Sequence, residues 1–382
     1  MRRLLITVVC STVMTAPAVR AFTRFDAGTC GICHADEKVA FAESAHEGIG
    51  MTCTDCHGGD PTDTEITSMS PKKGFRGSPD HRSVPQFCAG CHADRARMRQ
   101  YGLPTTQFED YQTSRHGMLW ARGDENVPVC TDCHGVHDIL PTDDPRSHVY
   151  PANVPKTCAR CHSDETLMRR YRLPADPYDK FAQSVNGRRL LQGDVKAVPS
   201  CATCHGSHGA LPPGVQEIGN VCGQCHAMER DLVNDSPHGK ATAEGKMSEC
   251  VSCHGHHEIQ APPLDEMGSL CGKCHDPESS ALQVGQRMLT LIQEAKDRLD
   301  EAQDALKVIE EQGEDTSRLK AMLEEAHTEF VQTARAQHGL DPDLVERHTV
   351  VAAATGQNVL DQTEQFHQRR SVRRMGLTVA LV

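Results

Sequence analysis

The sequence is poor in the residues from which soluble domains usually build a core. Only 4% of its 382 residues are aromatic, with a single tryptophan, and 38% are hydrophobic. A chain of this composition has difficulty burying a large apolar core by itself. Basic charge is also in deficit, because 40 lysines and arginines stand against 52 acidic residues. The resulting formal net charge of −12 argues against nucleic acid as a partner.

Apolar runs long enough to cross a membrane are also missing. A transmembrane helix needs about 20 consecutive apolar residues. The first 21 residues contain an apolar run that is shorter than a transmembrane helix, and they have the pattern of a secretory signal peptide. Arg2 and Arg3 precede an apolar run, and small residues flank a cleavage site at Ala21. We therefore predict an exported protein from which residues 1–21, including Cys10, are removed.

Cysteine, in contrast, is abundant, and 18 of the 19 cysteines lie in one repeated pentapeptide, Cys-x-x-Cys-His. The pattern is the attachment signature of c-type haem: both thiols bond to the haem and the adjacent histidine binds its iron. It occurs nine times, which predicts nine covalently attached haem c groups. The predicted thiols are Cys30, Cys33, Cys53, Cys56, Cys88, Cys91, Cys130, Cys133, Cys158, Cys161, Cys201, Cys204, Cys222, Cys225, Cys250, Cys253, Cys271 and Cys274. The predicted proximal ligands are His34, His57, His92, His134, His162, His205, His226, His254 and His275.

Structural zinc and disulfides are the alternatives for so many cysteines. Zinc sites usually combine two Cys-x-x-Cys pairs per ion, so an odd number of motifs does not fit. Zinc also does not require a histidine after every second cysteine. Disulfide bridges give no reason for nine copies of one pentapeptide. The repetition therefore favours haem.

The motifs form four doubled modules and one closing copy. Modules one to four begin at Cys30, Cys88, Cys158 and Cys222, and the closing copy begins at Cys271. Modules two and three share further sequence similarity: residues 98–104 match residues 168–174, and residues 114–117 match residues 184–187. The segments between motifs are rich in Gly, Pro, Asp and Ser, which predicts loops and short helices with almost no sheet. We predict a mainly α, haem-packed array over residues 22–277.

The remaining histidines are candidates for the second axial ligand of each iron. His137, His208 and His257 follow a motif in the pattern His-Gly-x-His. Three residues span only about 10 Å, too little to reach the opposite face of the same haem, so each is predicted to bind a neighbouring one. Three more follow a serine by two residues: His46, His116 and His238. His81 and His148, just upstream of a motif, are weaker candidates.

One position interrupts this pattern. Asn186 stands in module three where His116 stands in module two, and Ser184 and Gly187 match Ser114 and Gly117 around it. An amide is a poor iron ligand beside imidazole. The iron concerned is then either open or bound by another histidine. The many spare histidines favour the second alternative, with His148 as the candidate.

The composition changes after residue 277. Apolar residues recur with a seven-residue spacing between Ile292 and Ile309, which predicts a coiled-coil seam and an antiparallel helical hairpin over 278–340. Pro342 opens a third helix, followed by a basic segment, over 341–374. His338 is either exposed or an axial ligand from outside the modules. The eight apolar residues at 375–382 resemble the start of a truncated membrane anchor.

Three stretches carry a family resemblance: residues 53–61 (CTDCHGGDP), 69–75 (MSPKKGF) and 137–141 (HDILP). With them, the chain resembles bacterial exported multihaem cytochromes c of the cytochrome c3-like, doubled-motif kind. The resemblance implies a periplasmic electron carrier, held to the inner membrane by its C-terminus, between a quinol-oxidising membrane donor and a periplasmic acceptor.

Two further functions stay open: a multihaem reductase of a small oxyanion or nitrogen compound, and the haem subunit of a quinol-oxidising complex. Multihaem nitrite reductases commonly carry a Cys-x-x-Cys-Lys motif, and this sequence has none. We therefore favour a carrier over an enzyme and assign no catalytic residue.

Overall fold

The computed structural model describes residues 28–213, 218–261 and 267–380, together with the side chains of these residues except those of Met267 and 373–380. The predicted signal peptide lies outside this range, as do the side chains of the predicted anchor. The chain forms two compact units. One comprises the residues up to Asp80 together with His134–Ser147, and the other comprises His81–Cys133 and His148 onward.

The fold is built from helices and loops, with no strand in the described residues, which confirms the predicted mainly α class. The α-helices are α1 Cys30–Cys33, α2 Ala35–Phe41, α3 Cys53–His57, α4 Val84–His92, α5 Arg95–Met98, α6 Gln107–Thr113, α7 Arg115–Ala121, α8 Cys130–His134, α9 Val154–His162, α10 Glu165–Tyr171, α11 Pro177–Gln183, α12 Val185–Leu191, α13 Cys201–His205, α14 Ile218–Gly223, α15 Ala227–Asp235, α16 Pro237–Ala243, α17 Val251–His254, α18 Met267–Cys271, α19 Ser280–Glu311, α20 Ser317–Ala336 and α21 Pro342–Ala380.

The pentapeptides fold as short helical turns, which brings their two cysteines to one face because residues three apart are neighbours on a helix. In α3, a capping interaction starts the turn: the Thr52 N–H donates to Asp55 Oδ2 at 2.7 Å. The same bond occurs before α8, from the Val129 N–H to Asp132 at 2.7 Å. In these two motifs, the aspartate between the paired cysteines therefore helps to fold the attachment site.

Small local cores hold these turns in place. In module two, Trp120 is 8% exposed and packs with Val84, Val127 and Val129, and its indole N–H donates to the Arg82 carbonyl at 3.0 Å. The partly buried thiols Cys88 and Cys130 contact the same cluster. The only tryptophan of the chain thus supports a pair of attachment cysteines.

The tail, residues 280–380, is a bundle of three long helices. The predicted seam is buried along α19, including Ile292, Leu299 and Leu306. α20 runs antiparallel to α19, and Lys320 pairs with Glu310 next to the connecting turn. The two helices form the expected hairpin, but the seam of α19 packs chiefly on α21, which runs parallel to it.

Pairs of contacts fix that parallel arrangement. Arg287 at the start of α19 bonds Glu346 near the start of α21 at 2.7 Å, and Arg370 near the far end of α21 bonds Gln312 at 2.9 Å. The buried side of α19 therefore packs on the third helix as well as on the second. Among the described residues, no helix is both long and apolar enough to span a bilayer.

Candidate haem-binding site

The structure brings histidines together in pairs. Several motif histidines in the described residues lie beside a second imidazole, with ring centres 5.9 to 6.2 Å apart. These pairs include His57–His137 at 6.2 Å, His162–His116 at 6.1 Å, His205–His257 at 5.9 Å, His275–His238 at 5.9 Å and His254–His338 at 6.0 Å.

This spacing is the one that a shared metal ion requires. With metal–nitrogen bonds of about 2.0 Å, two imidazoles on opposite sides of one ion have ring centres about 6 Å apart. The pairs therefore fit one haem iron each, held from both faces. In the described part of the chain, no cluster of three or more histidine, cysteine or acidic side chains could hold a metal ion in the zinc manner.

Hydrogen bonds orient the rings for the same task. Nδ1 of His57 lies 3.0 Å from the Gly77 carbonyl, and Nδ1 of His254 lies 2.9 Å from the Gln260 carbonyl. His205 makes the same bond to Leu211 at 3.2 Å. A carbonyl only accepts, so each Nδ1 carries the hydrogen and Nε2 is left with a free lone pair. A backbone acceptor behind the ring is the usual support of a metal-binding histidine.

Burial lowers the pKa values of several of these imidazoles and so favours their neutral form. It lowers the pKa of His116 to about 4, and the neighbouring His162 lowers it further. Burial also lowers the pKa values of His162, His238 and His338. Only a neutral imidazole has a lone pair to bind a metal, so the pairs are ready to bind iron at neutral pH.

The cysteines show how the motifs follow one another in space. Within each module, the first thiols of the two motifs are in contact: Cys30 with Cys53, Cys88 with Cys130, Cys158 with Cys201, and Cys222 with Cys250. Between modules, Cys133 is within electrostatic reach of Cys158, and Cys204 of Cys222. Cys253 reaches Cys271 of the closing copy in the same way. From Cys88 to Cys274 the attachment sites therefore follow each other in sequence order.

The second histidines are placed by a repeated local structure. In module two, Ser114 caps α7 by accepting from the Gly117 N–H at 2.9 Å. A Cβ on Gly117 would lie 1.8 Å from the Tyr111 carbonyl oxygen, so the helix start packs on the preceding helix as closely as glycine allows. These constraints fix the direction in which His116 leaves the backbone.

A backbone hydrogen bond then ties each such helix start to the segment after a Gly-x-His motif. The residue before His116, Arg115, donates its N–H to the Ala210 carbonyl at 3.1 Å. Ala45, before His46, donates to Ile139 at 2.7 Å in the same manner. The equivalent bond in module three runs from Val185 to Ile259 at 3.0 Å. Modules two and three, and modules three and four, are therefore joined in the same way.

The surroundings of four further predicted site residues, His34, His81, His148 and His208, are as follows. His81 lies 3.0 Å from the Asp132 carboxylate, and His148 is exposed, with its backbone carbonyl accepting from Thr157 at 2.7 Å. His208 is half-buried; burial lowers its pKa, and nearby His92 acts in the same direction. His34, at the first motif, lies 3.9 Å from Glu37.

The sequence had left the role of His338 open, and the structure places it beside module four. Its ring lies nearly parallel to that of His254, at an angle of 21°, and its Nδ1 is 3.2 Å from the Arg335 carbonyl. Arg335 also pairs with Glu229 of α15 at 3.3 Å, which holds the end of α20 against this module. The tail thus supplies an imidazole that no module supplies.

One charged pair was not foreseen. Glu249, 6% exposed, lies directly before Cys250, and its carboxylate is 3.7 Å from the Arg230 guanidinium. A Cβ on Gly219 would collide with this carboxylate, so the acid is enclosed by backbone. No sequence pattern marks Glu249, because its burial depends on helices that are distant in the chain.

The comparisons with known proteins agree with this geometry. Residues 45–163 match the family model described as cytochrome c3, and the matched segment contains four of the nine motifs. No curated protein and no solved structure matches the chain. The family match supports a multihaem, c-type cytochrome-like protein with covalently bound haem that transfers electrons.

Proposed function

We propose that the chain is a periplasmic electron carrier that holds nine covalent haems. The observation that carries this proposal is the set of imidazole pairs in the described residues, each with the spacing of two axial ligands. From Cys88 to Cys274 the attachment sites also follow each other in sequence order. Covalent haems, when bound, supply one-electron exchange at iron. Consecutive motifs in contact keep such groups close to one another.

The chain's own residues do three things in this function. The thiols attach each haem, the paired imidazoles occupy both axial positions, and the backbone carbonyls behind them fix the ring orientation. Wherever two imidazoles would fill both axial positions, electron exchange is favoured over substrate binding at that haem. We also propose a membrane quinol-oxidising donor, a periplasmic acceptor and attachment to the inner membrane through the C-terminus.

The test is the intact mass of protein matured in a host that attaches c-type haem. We expect the mass of the signal-cleaved chain plus nine haems, and nine electrons per molecule in a reductive titration. A variant with Cys201→Ser and Cys204→Ser should carry eight haems. A protein that carries zinc, or only a few haems, would contradict the proposal.

A further inference from the structure

Module three lacks one of the imidazoles that the other modules supply. The motif that this missing imidazole would serve can be identified from the equivalent pairs. His116 of module two faces His162, the first motif histidine of the next module, and His238 of module four faces His275 of the closing copy. In both cases a histidine at the start of a short helix serves the second motif that follows it in the sequence, which is the first motif beyond its own module. The corresponding residue of module three is Asn186, and the second motif after it is Cys222–His226.

The local structure around Asn186 matches that around His116. Ser184 accepts from the Gly187 N–H at 2.9 Å, as Ser114 does from Gly117. A Cβ on Gly187 would lie 1.8 Å from the Phe181 carbonyl oxygen, the same clearance as at Gly117. The backbone therefore aims residue 186 as it aims residue 116.

Further contacts hold the Asn186 segment on module four, which contains His226. Val185 donates to the Ile259 carbonyl at 3.0 Å, and the Gln260 side chain donates to the Gln183 carbonyl at 2.7 Å. Cys204 lies within electrostatic reach of Cys222 and Cys225, as Cys133 does of Cys158 and Cys161. The step from module three to four thus repeats the step from two to three.

No other histidine takes the place of Asn186. All 22 histidines lie in the described residues, and none of the imidazole pairs found there includes His226, which is exposed. His148, the substitute that the sequence suggested, is exposed and belongs to none of these pairs. The residues outside the description contain no histidine.

We infer that Asn186 and His226 form a small-ligand site at the haem of the Cys222–His226 motif, an inference that rests on the proposed haem content. His226 occupies one axial position, and Asn186 faces the other with an amide that can donate a hydrogen bond but competes poorly for iron. The site suits a ligand of two or three atoms that binds iron at one end and accepts a hydrogen bond at the other. The carrier then has, at this motif, a point at which its electrons can reach a small molecule.

The experiment uses the purified nine-haem protein, with carbon monoxide as the probe of the reduced form. Asn186→His should bind one equivalent of carbon monoxide less than the native protein and lose one high-spin signal from the electron paramagnetic resonance spectrum of the oxidised form. The matched variant His116→Asn should gain one equivalent and one high-spin signal, at the motif of His162. Asn186→Leu should keep the native stoichiometry and shift the infrared C–O stretch, because the amide donor is lost.

Unchanged carbon monoxide stoichiometry in Asn186→His, with all nine haems present, would overturn the inference and leave the carrier proposal intact. A native protein with fewer than nine haems would instead contradict the carrier proposal. If Asn186→His fails to mature, His116→Asn decides alone: no added carbon monoxide equivalent would overturn the inference.

Discussion

Replacing His338 by alanine tests whether the tail takes part in the haem array. The ring pairs with His254 at 6.0 Å, and its Nδ1–H donates to the Arg335 carbonyl at 3.2 Å. His338→Ala should leave the iron at the Cys250–His254 motif with one axial imidazole. One haem of nine should therefore change from low spin to high spin.

The same substitution should loosen the end of α20 from module four. The lost hydrogen bond contributes about 1 kcal/mol, and loss of the axial bond adds to it. Each 1.4 kcal/mol corresponds to about a tenfold change in an equilibrium, so local opening should increase about tenfold or more. The contact between Arg335 and Glu229 remains and limits the effect.

Two measurements on the nine-haem protein follow these changes. Electron paramagnetic resonance counts the high-spin haem, and hydrogen exchange of the amides around residues 335–345 reports the opening. His327→Ala is the matched control, because His327 is exposed on the same helix and belongs to none of the pairs in the described residues. A His338→Ala protein with the same number of high-spin haems as the native protein would show that the tail imidazole does not bind iron.

Three further predictions concern residues away from the axial positions. Glu249→Gln should raise the reduction potential of the nearest haems, measured by redox titration, because it removes a buried negative charge. The same substitution should lower the free energy of unfolding in denaturant by about 1 to 3 kcal/mol. An unchanged reduction potential would contradict the predicted effect of the charge. Leu306→Ala, at a side chain 1% exposed, should cost the tail about 2 to 5 kcal/mol in thermal unfolding, and a smaller loss would show a looser seam. Hydrogen bonds from Thr62 and then Lys73 hold the pKa of Asp60 at about 2. The contribution of these bonds to folding stability is therefore present above the ordinary pKa of an aspartate and is lost as the pH falls through about 2. Lys73→Ala should raise the pKa of Asp60 in a nuclear magnetic resonance titration. An unchanged pKa would show that Lys73 does not lower it.

The sequence was sufficient for everything that depends on neighbouring residues. Each pentapeptide identifies its own two thiols and one imidazole. The short distance that three residues span also excluded His134 and His137 as the two ligands of one haem. The structure pairs His137 with His57 instead. The heptad spacing likewise identified the buried side of α19.

The pairing of the second histidines could not be read from the sequence, because it depends on how modules contact each other. His254 and His338 lie in different parts of the chain, and only the packing of α20 on α15 brings them together. His81 and His148 resembled ligands in position alone, since one contacts a carboxylate and the other is exposed. Sequence spacing predicts local structure, whereas the pairing of the second histidines depends on tertiary contacts.

The exchange of imidazoles between modules has a consequence for how the protein is made. As the chain is exported from its N-terminus, the second motif of module three precedes its partner His257, whereas the motif of the closing copy follows its partner His238. The motif of His254 precedes its partner His338 by the whole of α19 and α20. A chain cut short before residue 338 would leave the haem of that motif with one axial imidazole. The tail thus joins the array after the modules and supplies a ligand that the fourth module needs.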